Sequence, residues 1–109
     1  MNTNSFENSN VFEAVNEIGY SPKSIVSRII HKSDTGNITL FAFDENQELS
    51  EHTAPFDAMV QILDGQAEII IDGKKNLLNA GQFIIMPANV PHALNAPAKF
   101  KMMLIMIKG

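Results

Sequence analysis

The chain of 109 residues contains no cysteine. That excludes a disulfide scaffold, thiol chemistry and any zinc centre built on thiolates. Long apolar runs are missing too: no stretch approaches the roughly 18–20 residues that a membrane-spanning helix needs, so no membrane partner is expected. Glycine and proline are few, six and five, and glycine follows no period. Collagen-like and low-complexity chains are thereby excluded. Basic residues number eight against twelve acidic ones, for a net charge of -4. They are scattered from Lys23 and Arg28 through Lys74 and Lys75 to Lys108. Nothing here neutralises a row of phosphates, so nucleic acid is not an expected partner. Met1–Ser5 has neither a basic residue nor an apolar stretch, so no signal peptide is expected and the cytoplasm is the default location.

What is present is apolar material. Hydrophobic residues make up 45% of the chain and charged residues 18%. This length and composition suit one domain, residues 1–109, with a real core rather than a disordered chain. Residues 1–10 carry four Asn and two Ser and read as a frayed terminus. Beyond them Val11-Phe12 reads as a short strand, or Phe12–Glu17 as one helical turn.

After Pro22 the signal is that of strands. Ser24–Lys32 holds the β-branched Ile25, Val26, Ile29 and Ile30, and Ile38–Phe43 follows a turn cluster at Asp34–Asn37. Ala58–Leu63 ends at Asp64-Gly65, and Gln66–Ile71 ends at Asp72-Gly73. Both dipeptides read as hairpin turns, because glycine accepts the positive φ that such turns need. Lys74–Asn79, Phe83–Met86, His92–Asn95 and Phe100–Ile107 complete the set. Many short strands with regular turns predict an all-β sandwich or barrel.

The last strand is apolar on both faces: Phe100, Met102, Leu104 and Met106 on one, Met103, Ile105 and Ile107 on the other. A half-solvated strand would carry polar residues on one side. Either the N-terminal segment or a second subunit must cover the outer face, and a homodimer is the favoured expectation.

Candidate site residues follow from the two histidines that sit in patterned stretches. His31 has no motif around it and reads as an ordinary strand residue. His52 lies between Asn46 and Gly65, and His92 closes the stretch Gly81-Gln82-Phe83-Ile84-Ile85-Met86-Pro87-Ala88-Asn89-Val90-Pro91-His92. No strand–nucleophile–helix pattern surrounds any serine, and no glycine-rich phosphate loop with lysine occurs.

These stretches resemble the two motifs of the cupin superfamily, small double-stranded β-helix barrels of jelly-roll type. The family's second motif, G-x5-P-x-G-x2-H-x3-N, is met by Gly81, Pro87 and His92 at the right spacings, with Asn89 in place of the inner glycine. Its last position falls on Ala96. The first motif, G-x5-H-x-H-x3,4-E-x6-G, is met by His52 and Gly65, with Asn46 for the first glycine. Asn is the residue after glycine that best tolerates the left-handed conformation, so both turns are expected to survive. The resemblance spans residues 37–107 and implies the all-β cupin fold.

The departures bear on function. The resemblance places a second histidine at Ala54 and a glutamate at Ala58, so two of the family's four metal ligands are missing. What remains implies at most a divalent transition metal (zinc, iron, manganese or nickel) on His52 and His92. Asp57 is a weaker third ligand, because it lies one residue out of register with Ala58 and faces the other way unless a bulge re-aims it. Glu51 has the wrong parity as well. Removing two bulky polar ligands leaves apolar space suited to a small organic ligand. His52 and His92, with Gln61 and Met86 on the wall, are the expected pocket residues. Three readings stand: a small-molecule binder with a degenerate or absent metal site; a metal-dependent dioxygenase or isomerase using His52 and His92; and a ligand-sensing or interaction module without catalysis. The methionines other than the initiator read first as core and interface filler and, as the alternative, as the lining of a soft, adaptable pocket.

Overall fold

Turn residues bracket nearly every element. In a computed structural model, which describes residues 8–108, eight strands follow one 3-10 turn at Ala14–Asn16. The strands are β1 (Ile25–Ser33), β2 (Gly36–Phe43), β3 (Glu48–His52), β4 (Asp57–Ile71), β5 (Lys74–Asn79), β6 (Phe83–Met86), β7 (His92–Asn95) and β8 (Phe100–Ile107). Residues 1–7 of the segment expected to fray lie outside the described residues. Of the two readings of the segment that follows, the helical one holds: Ala14–Asn16 is a single turn. No helix among the described residues is long and apolar enough to cross a membrane.

All strand pairs are antiparallel, in a curled sheet ordered β1-β2-β8-β4-β7-β3, with β5 and β6 also on β4. The first half of β4 pairs with β8 and β6, and the second half with β5 and β7. One strand therefore belongs to both walls of the barrel, and the all-β double-stranded β-helix expected from the motifs is what forms.

This corrects one expectation. Asp64-Gly65 is not a hairpin turn: β4 runs through it, with an irregularity of register between Ile62 and Asp64. Gly65 keeps its positive φ of 76°, but uses it to bend the strand from one wall to the other beside Phe100. Asp72-Gly73 is the hairpin, with φ of 50° and 81° at its two residues, as a tight two-residue turn demands. Asn46 and Asn89 stand at φ 69° and 63°, so both glycine replacements do adopt the left-handed conformation.

Alternation along the strands sorts side chains into two layers. Val60, Ile62, Ile69 and Leu94 fill the interior with Phe43 and Phe100, whose rings stack with centroids 4.5 Å apart. Burying each such side chain contributes about 1.5–3 kcal/mol. Outside the sheet, Ile18 of the N-terminal segment packs with Leu40 and Ala42, alongside Val26, Leu63 and Met103. Polar contacts fasten this strap: Arg28 donates to the Glu17 carbonyl at 2.9 Å, Lys101 donates to the Val15 carbonyl at 2.7 Å, and the Tyr20 hydroxyl donates to the Asp64 carboxylate.

The strap covers the Met103 end of β8's outer face. The rest of that face, Met59, Ile105 and Ile107 with Phe83 and Ile85 of β6, lies beyond it; Phe83 is 60% exposed, Ile85 52% and Ile107 55%.

Candidate functional site

The inner face of β8 grades from closed core to open cavity. Phe100 and Met102 are fully buried, while Leu104 and Met106 are half-buried and border a cavity of about 370 Å³. Ala58 of β4 and Met86 of β6 lie beside them on the same wall, and Leu94 of β7 lines the cavity from the other wall. Every residue lining this cavity is apolar except His52 and His92.

A bulge brings the two histidines together. On β3, Leu49 faces Leu94 of β7, and uninterrupted pairing would then set Glu51 opposite His92. One extra residue between Leu49 and His52 shifts the strand, so that His52 faces His92. The shift turns the imidazole inward and leaves Glu51 exposed.

The loops at this end are pinned to one another. Asn89, in its left-handed conformation, donates its backbone N–H to the Ala54 carbonyl at 2.7 Å, and the Ala88 N–H donates to the Asp57 carboxylate at 2.8 Å. Asp57 thus caps the Pro87–Pro91 turn and takes no part in the cavity lining.

Both rings are oriented by the main chain. His52 Nδ1 lies 2.8 Å from the Ser50 carbonyl and His92 Nδ1 lies 3.2 Å from the Val90 carbonyl. A carbonyl oxygen only accepts, so each Nδ1 carries the hydrogen. The Nε2 atoms then converge at 3.0 Å, with the ring planes 70° apart. His52 is exposed and His92 is only 5% exposed, so the pair stands where the cavity meets solvent. Burial pushes the His92 imidazole below its ordinary pKa; the hydrogen bond to the Val90 carbonyl opposes this, and the nearby His52 adds to the lowering.

Of the residues singled out from sequence, His52, His92 and Met86 line the cavity. Gln61 does not, and that expectation is corrected. It pairs with Met103 and Phe83, and alternation puts it on the outward face between the inward Val60 and Ile62. His31 is an exposed residue of β1. Met102 and Met106, for which pocket lining is the second reading of the sequence, border the cavity together with Phe41 and Phe56. The signal for the two methionines was present: they share the inner face of β8 with Phe100.

The donor set decides whether a metal suits this site. Ala54 and Ala58 line the same cavity as the two histidines and bring methyl groups where the cupin motif has ligands. Among the described residues, no group of three or more His, Cys, Asp or Glu side chains is placed to hold a metal ion. Zinc sites use three or four protein ligands, and the non-haem iron arrangement needs a carboxylate beside its two histidines. Two imidazoles in an apolar wall do not fit a resident metal of either kind.

Comparison with known proteins agrees with the fold and with the motif frame. The Cupin_2 family model, a cupin domain, matches residues 39–108. A conserved protein of unknown function from Streptococcus pyogenes is 39% identical, with a TM-score of 0.89 over 94% of this chain and 90% of that one. A cupin 2 conserved barrel domain protein from Leptotrichia buccalis is 34% identical, with a TM-score of 0.86; the match covers 89% of this chain but 47% of that longer one. A cupin superfamily protein from Desulfitobacterium hafniense is 27% identical, with a TM-score of 0.87 over 97% and 96% of the two chains. No curated protein matches the chain significantly. With the barrel, the left-handed asparagines and the paired motif histidines in place, the chain belongs to the cupin family, as a small cupin-2 domain protein.

Proposed function

We propose that this cupin barrel binds a small organic molecule in its cavity, with the His52–His92 pair as the polar pole of the site. One observation carries the reading: a cavity of about 370 Å³ whose lining is apolar apart from two convergent imidazoles. Ligand pockets of known proteins have this character, a mostly hydrophobic wall with a few placed polar groups that fix orientation. Ala54 and Ala58 contribute by their smallness, since larger side chains at either position would occupy the space. The role proposed is binding, and the two histidines orient the ligand rather than hold a metal.

An apolar fluorescent reporter, N-phenylnaphthylamine, tests the reading. Saturable binding at one site per chain is expected, abolished by Ala54→Phe and weakened by Ala58→Leu, with melting temperatures showing that both variants remain folded. Reporter binding that survives both substitutions unchanged would place the ligand elsewhere and end this reading. A metal-dependent reading has less support, because the donor set stops at two histidines.

A further inference from the structure

The two imidazoles at the cavity mouth present an unusual pairing. Each Nδ1 hydrogen is committed to a main-chain carbonyl, Ser50 for His52 and Val90 for His92. A neutral imidazole carries a single N–H, so both Nε2 atoms are left as bare acceptors. They face each other at 3.0 Å. Two lone pairs at that distance repel unless a hydrogen lies between or beside them. Such a hydrogen comes from a ring proton, from water at the open mouth beside the exposed His52, or from a ligand that displaces that water and must then replace its hydrogen bond. His92 is 5% exposed and the wall around it is apolar, surroundings in which a charged ring is costly.

From this arrangement we infer that the ligand is an aromatic molecule with a free hydroxyl group, which donates its hydrogen to the facing Nε2 atoms. The inference rests on the small-molecule reading above and names its chemical class. Carboxylates are disfavoured, since an anion would meet two acceptors and no donor. Ammonium groups are disfavoured too, since a cation would shed its water against Phe41, Leu104 and Met106. A neutral hydroxyl supplies the missing hydrogen at little desolvation cost. The wall argues for the ring: Phe41 and Phe56 offer aromatic faces and edges, and Met86, Met102 and Met106 offer adaptable thioethers that favour contact with aromatic rings.

Three probes of nearly equal shape separate the alternatives at neutral pH: β-naphthol, β-methylnaphthalene and β-naphthoate. The chain has no Trp and one Tyr, so naphthalene emission is read without protein background. β-Naphthol is expected to bind about tenfold more tightly than β-methylnaphthalene, the scale of one hydrogen bond to an otherwise unpaired acceptor. β-Naphthoate is expected to be the weakest. In His52→Phe, altered at an exposed position, the naphthol-to-methylnaphthalene ratio falls toward one, and His92→Phe provides the same readout from the buried partner. Equal affinities for the first two probes in the native protein would overturn the inference while leaving cavity binding intact. Tightest binding of β-naphthoate would overturn it by showing that the pair donates rather than accepts. Binding of none of the three would end both this inference and the small-molecule reading.

Discussion

Gly65→Ala should cost far more than the same change at Gly73, although both glycines have positive φ. At Gly73 (φ 81°) an added Cβ meets nothing within 4 Å, so the cost is conformational only, about 1 kcal/mol for an L-residue forced left-handed. At Gly65 (φ 76°) the same Cβ would stand 1.9 Å from the Lys99 carbonyl oxygen and 2.9 Å from Phe100 Cα. Both are backbone atoms at the start of β8, so no side chain can rotate away. Relief requires β4 and β8 to separate where Gly65 pairs with Phe100, beneath the stacked Phe43 and Phe100 rings. Overpacking of this kind adds about 1–3 kcal/mol to the conformational cost. The total is then about 2–4 kcal/mol, against the roughly 5–15 kcal/mol that holds a domain together.

Urea titration followed by far-ultraviolet circular dichroism reads the difference directly. With a slope of about 1.5 kcal/mol per molar urea, Gly73→Ala lowers the midpoint by about 0.7 M and Gly65→Ala by about 1.3–2.7 M. Equal midpoints for the two variants would refute the steric argument. They would mean that the wall-to-wall bend in β4 yields easily and that the close approach of β8 does not define it.

Three further expectations are independent of that one. Ala54→His combined with Ala58→Glu restores a four-donor set around the cavity, and a cobalt(II) absorption titration should show stoichiometric binding by the variant at concentrations where the native protein shows none. Comparable binding by the native protein would mean that two imidazoles suffice. The lowered pKa of His92 makes the folded state bind fewer protons than the unfolded chain between that value and the ordinary 6.5. Its contribution to stability is therefore complete above the unfolded value and is lost as pH falls through the folded one; urea midpoints should drop across this acid window in the native protein and drop less in His92→Phe. The outward face with Met59, Phe83, Ile85, Ile105 and Ile107 offers no charge to a partner and is expected to seat a second copy of the chain. Sedimentation velocity should return a dimer for the native protein and a monomer for Ile85→Glu, and a monomeric native protein at micromolar concentration would remove the idea.

Local chemistry made most of the fold readable. The bounds of β5, β6 and β7 fall beside Asp-Gly, Ala-Gly and proline punctuation, because those residues end strands whatever the surroundings. Asp64-Gly65 misled for a physical reason. A glycine with positive φ serves a hairpin and a bend in a continuing strand equally well, and the choice between them lies with β8, thirty-odd residues away, whose Phe100 and Lys101 pair across the site. The outer face of β8 was legible as an excess of apolar residues, but not as a surface shared between the strap at Met103 and the open patch at Ile105 and Ile107. Motif spacing led to His52 and His92. The bulge that places them in register has no marker in Leu49-Ser50-Glu51-His52, since an extra residue is defined only against the partner strand. The outward position of Gln61 has a marker in the sequence: its odd spacing from Ala58 puts it on the other face of the strand.

Four positions in a shared frame decide what such a barrel can hold. The frame itself sets the direction of the histidines: the β3 bulge and the Ser50 and Val90 carbonyls aim both Nε2 atoms at one point, whatever then occupies it. With further ligands beside them, that point is a metal position, and the carbonyls act as the outer partners that fix the ring tautomers. With Ala54 and Ala58 instead, the same tautomers become a constraint, because two acceptors face an apolar space. The chemistry then has to come from the ligand. On the proposed reading a molecule that brings its own hydrogen meets that demand, and alanine at two ligand positions gives the site a different selectivity rather than simply emptying it.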